Sequence, residues 1–162
     1  MFVAFRAIVW ATLFVGFLLI YLPTRVLSST GIVRPASIAA PQIAGTIIGT
    51  AGVLLALWCI STFVWIGRGT PAPFDPPRRL VIRGPYRFVR NPMYIGAGLA
   101  LAGAALFYKS VPLVIYAGVF LLVCHIFVLA YEEPTLKRTF GPDYEAYCQR
   151  VSRWLPSARR VQ

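Results

Sequence analysis

Two short stretches of this chain concentrate residues able to bind and to react. "RGPYRFVRNPMYIG", residues 83–96, gathers Arg83, Arg87 and Arg90 with Tyr86, Tyr94 and Asn91, the last directly ahead of Pro92. "YEEPTL", residues 131–136, holds Glu132 and Glu133, the adjacent acidic pair of a chain with five acidic side chains. Arginines beside a helix start suit an anion, and paired carboxylates suit a cation. Acids at the margin of an apolar segment are costly unless they have a partner or a task. The first stretch alone also fits a capped interfacial helix with snorkelling arginines and belt tyrosines.

The elements that must position these groups are legible nearby. Asn is among the favoured N-caps and Pro is favoured at the first helical position, so a helix is expected to begin at Pro92 with Asn91 capping it. Upstream, Pro71, Pro73, Pro76 and Pro77 forbid a regular helix. Leu80, Val81 and Ile82 then read as a short extended segment, turned by Gly84-Pro85. A connector this long in so small a protein points to a lid or binding segment. Glu132 and Glu133 are expected to end a membrane span, where acids oppose the helix dipole. A further helix restarts at Pro142, with Tyr144, Tyr147, Cys148 and Val151 at i, i+3, i+4, i+7 spacing and Glu145, Gln149 and Arg150 opposite. It reads as an interfacial amphipathic helix over the cytoplasmic mouth. His125 lies two turns inward from Glu132. It fits a packed, hydrogen-bonded residue and is also a pocket candidate.

Hydropathy sets the frame. Mean hydropathy is +0.70 and 13% of residues are charged, which excludes an ordinary soluble domain. Four uncharged or nearly uncharged runs reach membrane-spanning length. The reading is all-α and integral membrane: one domain over residues 1–162, with spans at about 7–26, 42–66, 92–108 and 111–131, a cytoplasmic connector at 68–91 and a C-terminal amphipathic segment at 134–156. The first run is longer than a signal-peptide core and is read as a retained anchor. Gly45, Gly49 and Gly52 in the second run, and Gly96, Ala100 and Gly103 in the third, form small-residue stripes for close helix packing. "YKSVP" is too short to cross a bilayer, so the third and fourth spans form an antiparallel hairpin. That hairpin returns 86–94 and 131–136 to one edge.

The net charge of +11 is unevenly placed. With four spans, thirteen basic residues fall on the side of the N-terminus, connector and tail, against Arg25, Arg34 and Lys109 on the other. The richer side is cytoplasmic by the positive-inside rule, and it faces anionic lipid headgroups. Nucleic acid is excluded as a partner, since no basic run is interleaved with stacking aromatics. Cys59, Cys124 and Cys148 lack metal-ligand spacing, so no metal is expected and the thiols read as small buried hydrophobes.

"GPYRFVRNPMYIG" followed by "EEPTLKRTFGPDYEAYCQRVSRWLP" resembles the isoprenylcysteine carboxyl methyltransferases and their phospholipid methyltransferase relatives, over roughly residues 69–156. The resemblance implies S-adenosyl-L-methionine bound at the cytoplasmic side, and a lipid-like or small hydrophobic methyl acceptor entering from the bilayer. It places cofactor contacts at Leu80, Val81, Tyr86, Arg90, Asn91, Pro92, Met93, Tyr94, Glu132 and Glu133. An amine or thiol acceptor would need to lose a proton, and His125, Glu132 or a tyrosine are the candidates for the base. Two departures matter. Asn91 stands where the prenylcysteine enzymes have histidine, and Val128 stands where they place an arginine for the substrate carboxylate. True prenylcysteine carboxyl methylation is therefore the runner-up, and a small transporter or membrane scaffold is the alternative of another class.

Overall fold

The structure is a computed structural model that describes residues 16–32, 35, 37–63, 65 and 79–156. Among these the chain is all-helical, with one isolated parallel bridge between Val89 and Ser152. A π-helical segment, Gly16–Tyr21, leads into α1 (Leu22–Ser29). There follow α2 (Ala40–Thr62), a 3-10 turn at Gly84–Arg87, α3 (Pro92–Tyr108) and α4 (Val111–Phe127). A π turn at Val128–Glu132 joins α4 to α5 (Glu133–Phe140), and α6 (Pro142–Arg150) ends the helical part. The beginning of the expected first span, the end of the second and residues 68–78 of the connector, with Pro71, Pro73, Pro76 and Pro77, lie outside the described residues.

Two helical stretches are long and apolar enough to cross a membrane: Ala40–Thr62, of 23 residues, and Val111–Phe140, of 30. Only 17% and 28% of their most apolar windows are buried, so their apolar surface faces outward, unlike the core helix of a soluble protein. At ~1.5 Å per residue, α2 reaches about 35 Å, enough for a hydrocarbon core of ~30 Å. The other two expected spans differ from that standard. α3 has 17 residues, a little short of a full crossing. The first expected span is described only from Gly16, and its helix runs on to Ser29 rather than ending near 26. In its last turn the hydroxyls of Ser28 and Ser29 bond back to the carbonyls of Arg25 and Val26.

The tightest packing is between α2 and α3, along the two small-residue stripes. A Cβ placed on Gly103 would lie 2.4 Å from Gly49 N, and one on Gly52 would lie 2.5 Å from Gly96 O. The two backbones are in direct contact, as expected where van der Waals packing rather than the hydrophobic effect joins helices. Gln42 closes one end of this seam: its Nε2 donates to Phe107 O (3.1 Å) while its Oε1 accepts from Ala39 N (3.1 Å). Near the other end, Val81 and Tyr86 pack with Cys59, and Phe63 meets the Tyr86 ring edge-on at 5.2 Å. Residues 80–82 form neither helix nor strand. Gly84, at φ +61°, turns the chain where a Cβ would sit 3.0 Å from Thr62 Oγ1.

The expected hairpin of α3 and α4 is present. Lys109 adopts a left-handed conformation at φ 49° and Ser110 caps α4 by accepting from Leu113 N (3.3 Å). One expectation needs correction. Glu132 and Glu133 do not end a helix, because the helix continues through the π turn to Phe140. The apolar run stops near Tyr131, but loss of hydrophobicity ends a lipid contact and not a hydrogen-bond ladder.

The glycine seam yields a paired test. Gly103→Ala forces two backbones apart and should lower the thermal midpoint in detergent by an amount equivalent to ~1–3 kcal/mol. Gly118, in mid-α4, has nothing within 4 Å of its would-be Cβ. Gly118→Ala should leave the midpoint unchanged or raise it, by up to ~1 kcal/mol of helix propensity.

Candidate functional site

Pro134 explains the local shape of the acidic segment. It offers no N–H, and its ring would collide with the carbonyl four residues back in a regular helix. The chain widens instead into the π turn Val128–Glu132, and Glu133 N–H bonds to Val128 O, five residues back. Such turns recur where a helix must present side chains off its regular register. Consecutive positions on a helix point ~100° apart, so the two carboxylates serve different partners. Glu132 accepts a hydrogen bond from the Tyr94 hydroxyl of α3. Glu133 turns to the arginines.

Arg153 grips Glu133 with both arms of its fork, Nε to Oε1 at 2.7 Å and Nη2 to Oε2 at 2.8 Å. Arg90 adds a third cationic contact, its Nη1 lying 3.1 Å from Glu133 Oε1 and 2.6 Å from Cys148 Sγ. Arg90 Nε is buried with no hydrogen-bond partner. Bonding to Glu133 raises the Arg153 guanidinium further above its ordinary range, so the fork stays charged. Glu132, by contrast, has no cationic partner among the described residues.

α3 begins at Pro92 as expected, and Pro92 is fully buried. Asn91 occupies the N-cap position, but its side chain makes no capping bond. Its amide donates instead to Arg153 O (3.3 Å), a tertiary partner displacing the local one. The expected cap is therefore corrected to a clasp.

The C-terminal residues 151–155 leave α6 without helical structure and lie across this corner. Arg90 N donates to Ser152 O at 2.9 Å. Trp154 Nε1 donates to His125 Nδ1 at 3.0 Å, and the Trp154 ring stands 6.5 Å from Tyr94 and 5.8 Å from His125. Nδ1 of His125 is thus taken up as the acceptor of the Trp154 N–H. A cleft of about 620 Å³ opens beside the strap, lined among others by Arg90, Glu133, Lys137, Tyr144 and Arg153.

The remaining sequence candidates divide between two clusters. Val81, Tyr86 and Met93 pack around Cys59, whereas Leu80 joins Tyr144, Tyr147 and Val151 under α6. The clusters are tied by Tyr147, whose hydroxyl donates to Tyr86 O at 2.6 Å. Burial pushes the phenols of Tyr86 and Tyr147 well above their usual range, so both remain protonated donors. The buried face of α6 is the one its spacing predicts. Cys59 and Cys124 are buried free thiols, but Cys148 is half-buried under Arg90. No group of residues suited to a metal occurs among the described residues.

Arg153, Trp154 and Cys148 are the site residues that sequence reasoning passed over. The motif "SRWLP" contains two of them, but nothing in their spacing points to partners 20 to 62 positions away.

No curated protein and no solved structure matches the chain. The phospholipid methyltransferase family matches residues 40–143, from the start of α2 into the first turn of α6. That segment covers more than half of the chain and includes the helix start at Pro92, the hairpin and the acidic pair. The chain belongs to the phospholipid methyltransferase family.

Proposed function

We propose that the protein is a membrane-embedded, S-adenosyl-L-methionine-dependent methyltransferase acting on a lipid-like or small hydrophobic acceptor. The observation that carries this is Glu132, a carboxylate held by Tyr94 with no cation beside it among the described residues, a few residues from an arginine cluster whose Arg90 Nε is buried and unbonded. The residues fit a zwitterionic sulfonium cofactor. Glu132 suits its ammonium group, Arg90 its carboxylate, and the faces of Tyr94 and Trp154 its cationic sulfur. When bound, the cofactor would supply a methyl group activated by its sulfonium, whose positive charge is lost on transfer.

The chain's own contribution is chiefly alignment and exclusion of water. The buried ends of α3 and α4 and the strap over them hold the reacting groups in a confined corner. An amine or thiol acceptor has a proton to lose, but Glu132, with Oε1 taken by Tyr94 and its charge given to the cofactor's ammonium, is a weak base for it. His125 is less suited, because its accepting nitrogen is occupied by Trp154. Val128, where a substrate-carboxylate arginine would be needed, is 1% exposed and apolar. This favours a neutral or amine-bearing amphiphile over a prenylcysteine carboxylate. Membership of a methyltransferase family argues against the transporter and scaffold alternatives.

In this reading the chain crosses the membrane four times, with the N-terminus, the 68–91 connector and the tail in the cytoplasm. In a background with Cys59, Cys124 and Cys148 replaced by alanine, an impermeant maleimide applied to inside-out vesicles should label Arg150→Cys and spare Val111→Cys. Labelling of both, or the reverse pattern, would discard this topology. Calorimetry with S-adenosylhomocysteine tests the activity class. Wild type in lipid nanodiscs should bind, and Glu132→Gln should weaken binding by about tenfold or more, the loss of a charge-assisted contact of ~1.5–3 kcal/mol. Well-folded wild type that binds nothing would refute the proposal.

A further inference from the structure

The segment 151–155 has no helix to hold it, so its placement depends on specific contacts. Those contacts fall on the candidate site one after another. Ser152 O takes the Arg90 N–H, Arg153 O takes the Asn91 amide, the Arg153 fork takes both oxygens of Glu133, and the Trp154 N–H goes to His125. All of these strap residues lie beyond the 40–143 segment matched by the family. The acidic pair, meanwhile, has an electrostatic difficulty. Two adjacent carboxylates at an apolar edge repel one another, and a ligand cation between them would be shared rather than placed.

We infer that the strap is a working part of the site, and that Arg153 is a positioning residue that occupies Glu133 so that Glu132 alone meets the cationic group of a ligand. A fork that bonds both carboxylate oxygens fixes the acid in orientation as well as in charge. Glu133 is then unavailable to the ligand, and the strap backbone that carries Arg153 is held by Arg90 and Asn91. Trp154 acts alongside, holding the His125 ring and standing beside Tyr94. Arg90 also reaches Glu133 but contacts Oε1 only, so without a cation at position 153 the second oxygen is left open to the ligand. The identity of the cation rests on the methyltransferase reading; the division of labour within the acidic pair does not.

Full-length wild type, Arg153→Gln and Arg153→Lys in nanodiscs are compared in two independent measurements. The first uses no cofactor. A hydrophobic carbodiimide, which modifies carboxyl groups not held in ion pairs, is followed by mass spectrometry at Glu133. Wild type and Arg153→Lys should be spared, and Arg153→Gln should be modified at least fivefold more. The second is S-adenosylhomocysteine affinity, expected to fall about tenfold in Arg153→Gln and to recover to within about threefold of wild type in Arg153→Lys. A loss of affinity with Glu133 still protected would make Arg153 a direct ligand contact and overturn the inference. So would an exposed Glu133 with affinity unchanged, or equal modification of Glu133 in wild type and Arg153→Gln. Wild type that fails to bind would sink the cofactor reading, and the carbodiimide comparison would then decide the role of Arg153 by itself. Melting curves identify an Arg153→Gln that has simply not folded, and Arg153→Met, which also lacks the charge, then takes its place in both comparisons.

Discussion

The contact on which the rest depends is backbone against backbone between α2 and α3. No side chain separates Gly49 from Gly103 or Gly52 from Gly96, so the two helices have little freedom to slide or roll. In a bilayer this closeness substitutes for the hydrophobic effect, which gives no advantage to one apolar surface over lipid tails. Its reach extends beyond the seam. With α2 fixed, Cys59, Phe63 and Thr62 present a fixed floor for Val81, Tyr86 and Gly84, and the chain entering α3 has one path to follow. With α3 fixed, the Lys109-Ser110 turn fixes α4, and the π turn arrives beside Tyr94.

Much of this was legible in local sequence, and the reasons differ by element. Proline at a first helical position announced α3 and α6, the small-residue stripes announced the seam, and a link of a few residues announced the hairpin. Each of these signals resides within about one helical turn or one connector. The misreadings share the opposite property. Asn91 has a strong intrinsic preference for capping, but the carbonyl of Arg153, 62 positions on, competes successfully for its amide. The acidic pair was assigned to a helix end because hydropathy falls there, although hydropathy reports the surroundings of a helix rather than its continuity. Arg153 and Trp154 carried no periodic signal at all, since their partners are brought near only by the completed hairpin.

The site candidates drawn from the family resemblance prove to be spatial neighbours, but not a single shell. Leu80 and Val81, adjacent in sequence, point into different clusters, one under α6 and one against α2. The connector thus acts as a tie between the membrane helices and the C-terminal helix. Tyr147 repeats the tie through its bond to Tyr86 O. The corner holding Glu132 is formed by α3, the end of α4 and the 151–155 segment.

The π turn has a consequence for how this segment tolerates change in length. A π turn holds about one residue more than an α turn, so removing one residue from 128–132 would return it to regular α geometry. Everything after it would then rotate by ~100° about the helix axis and retreat by ~1.5 Å. Glu133 would leave the Arg153 fork, and α5 and α6 would swing with it, carrying Tyr144 and Tyr147 away from Leu80. A single-codon deletion here is therefore a change of angle more than a change of length. Pro134 guards against it, because a regular helix at that point would again bring its ring against a carbonyl.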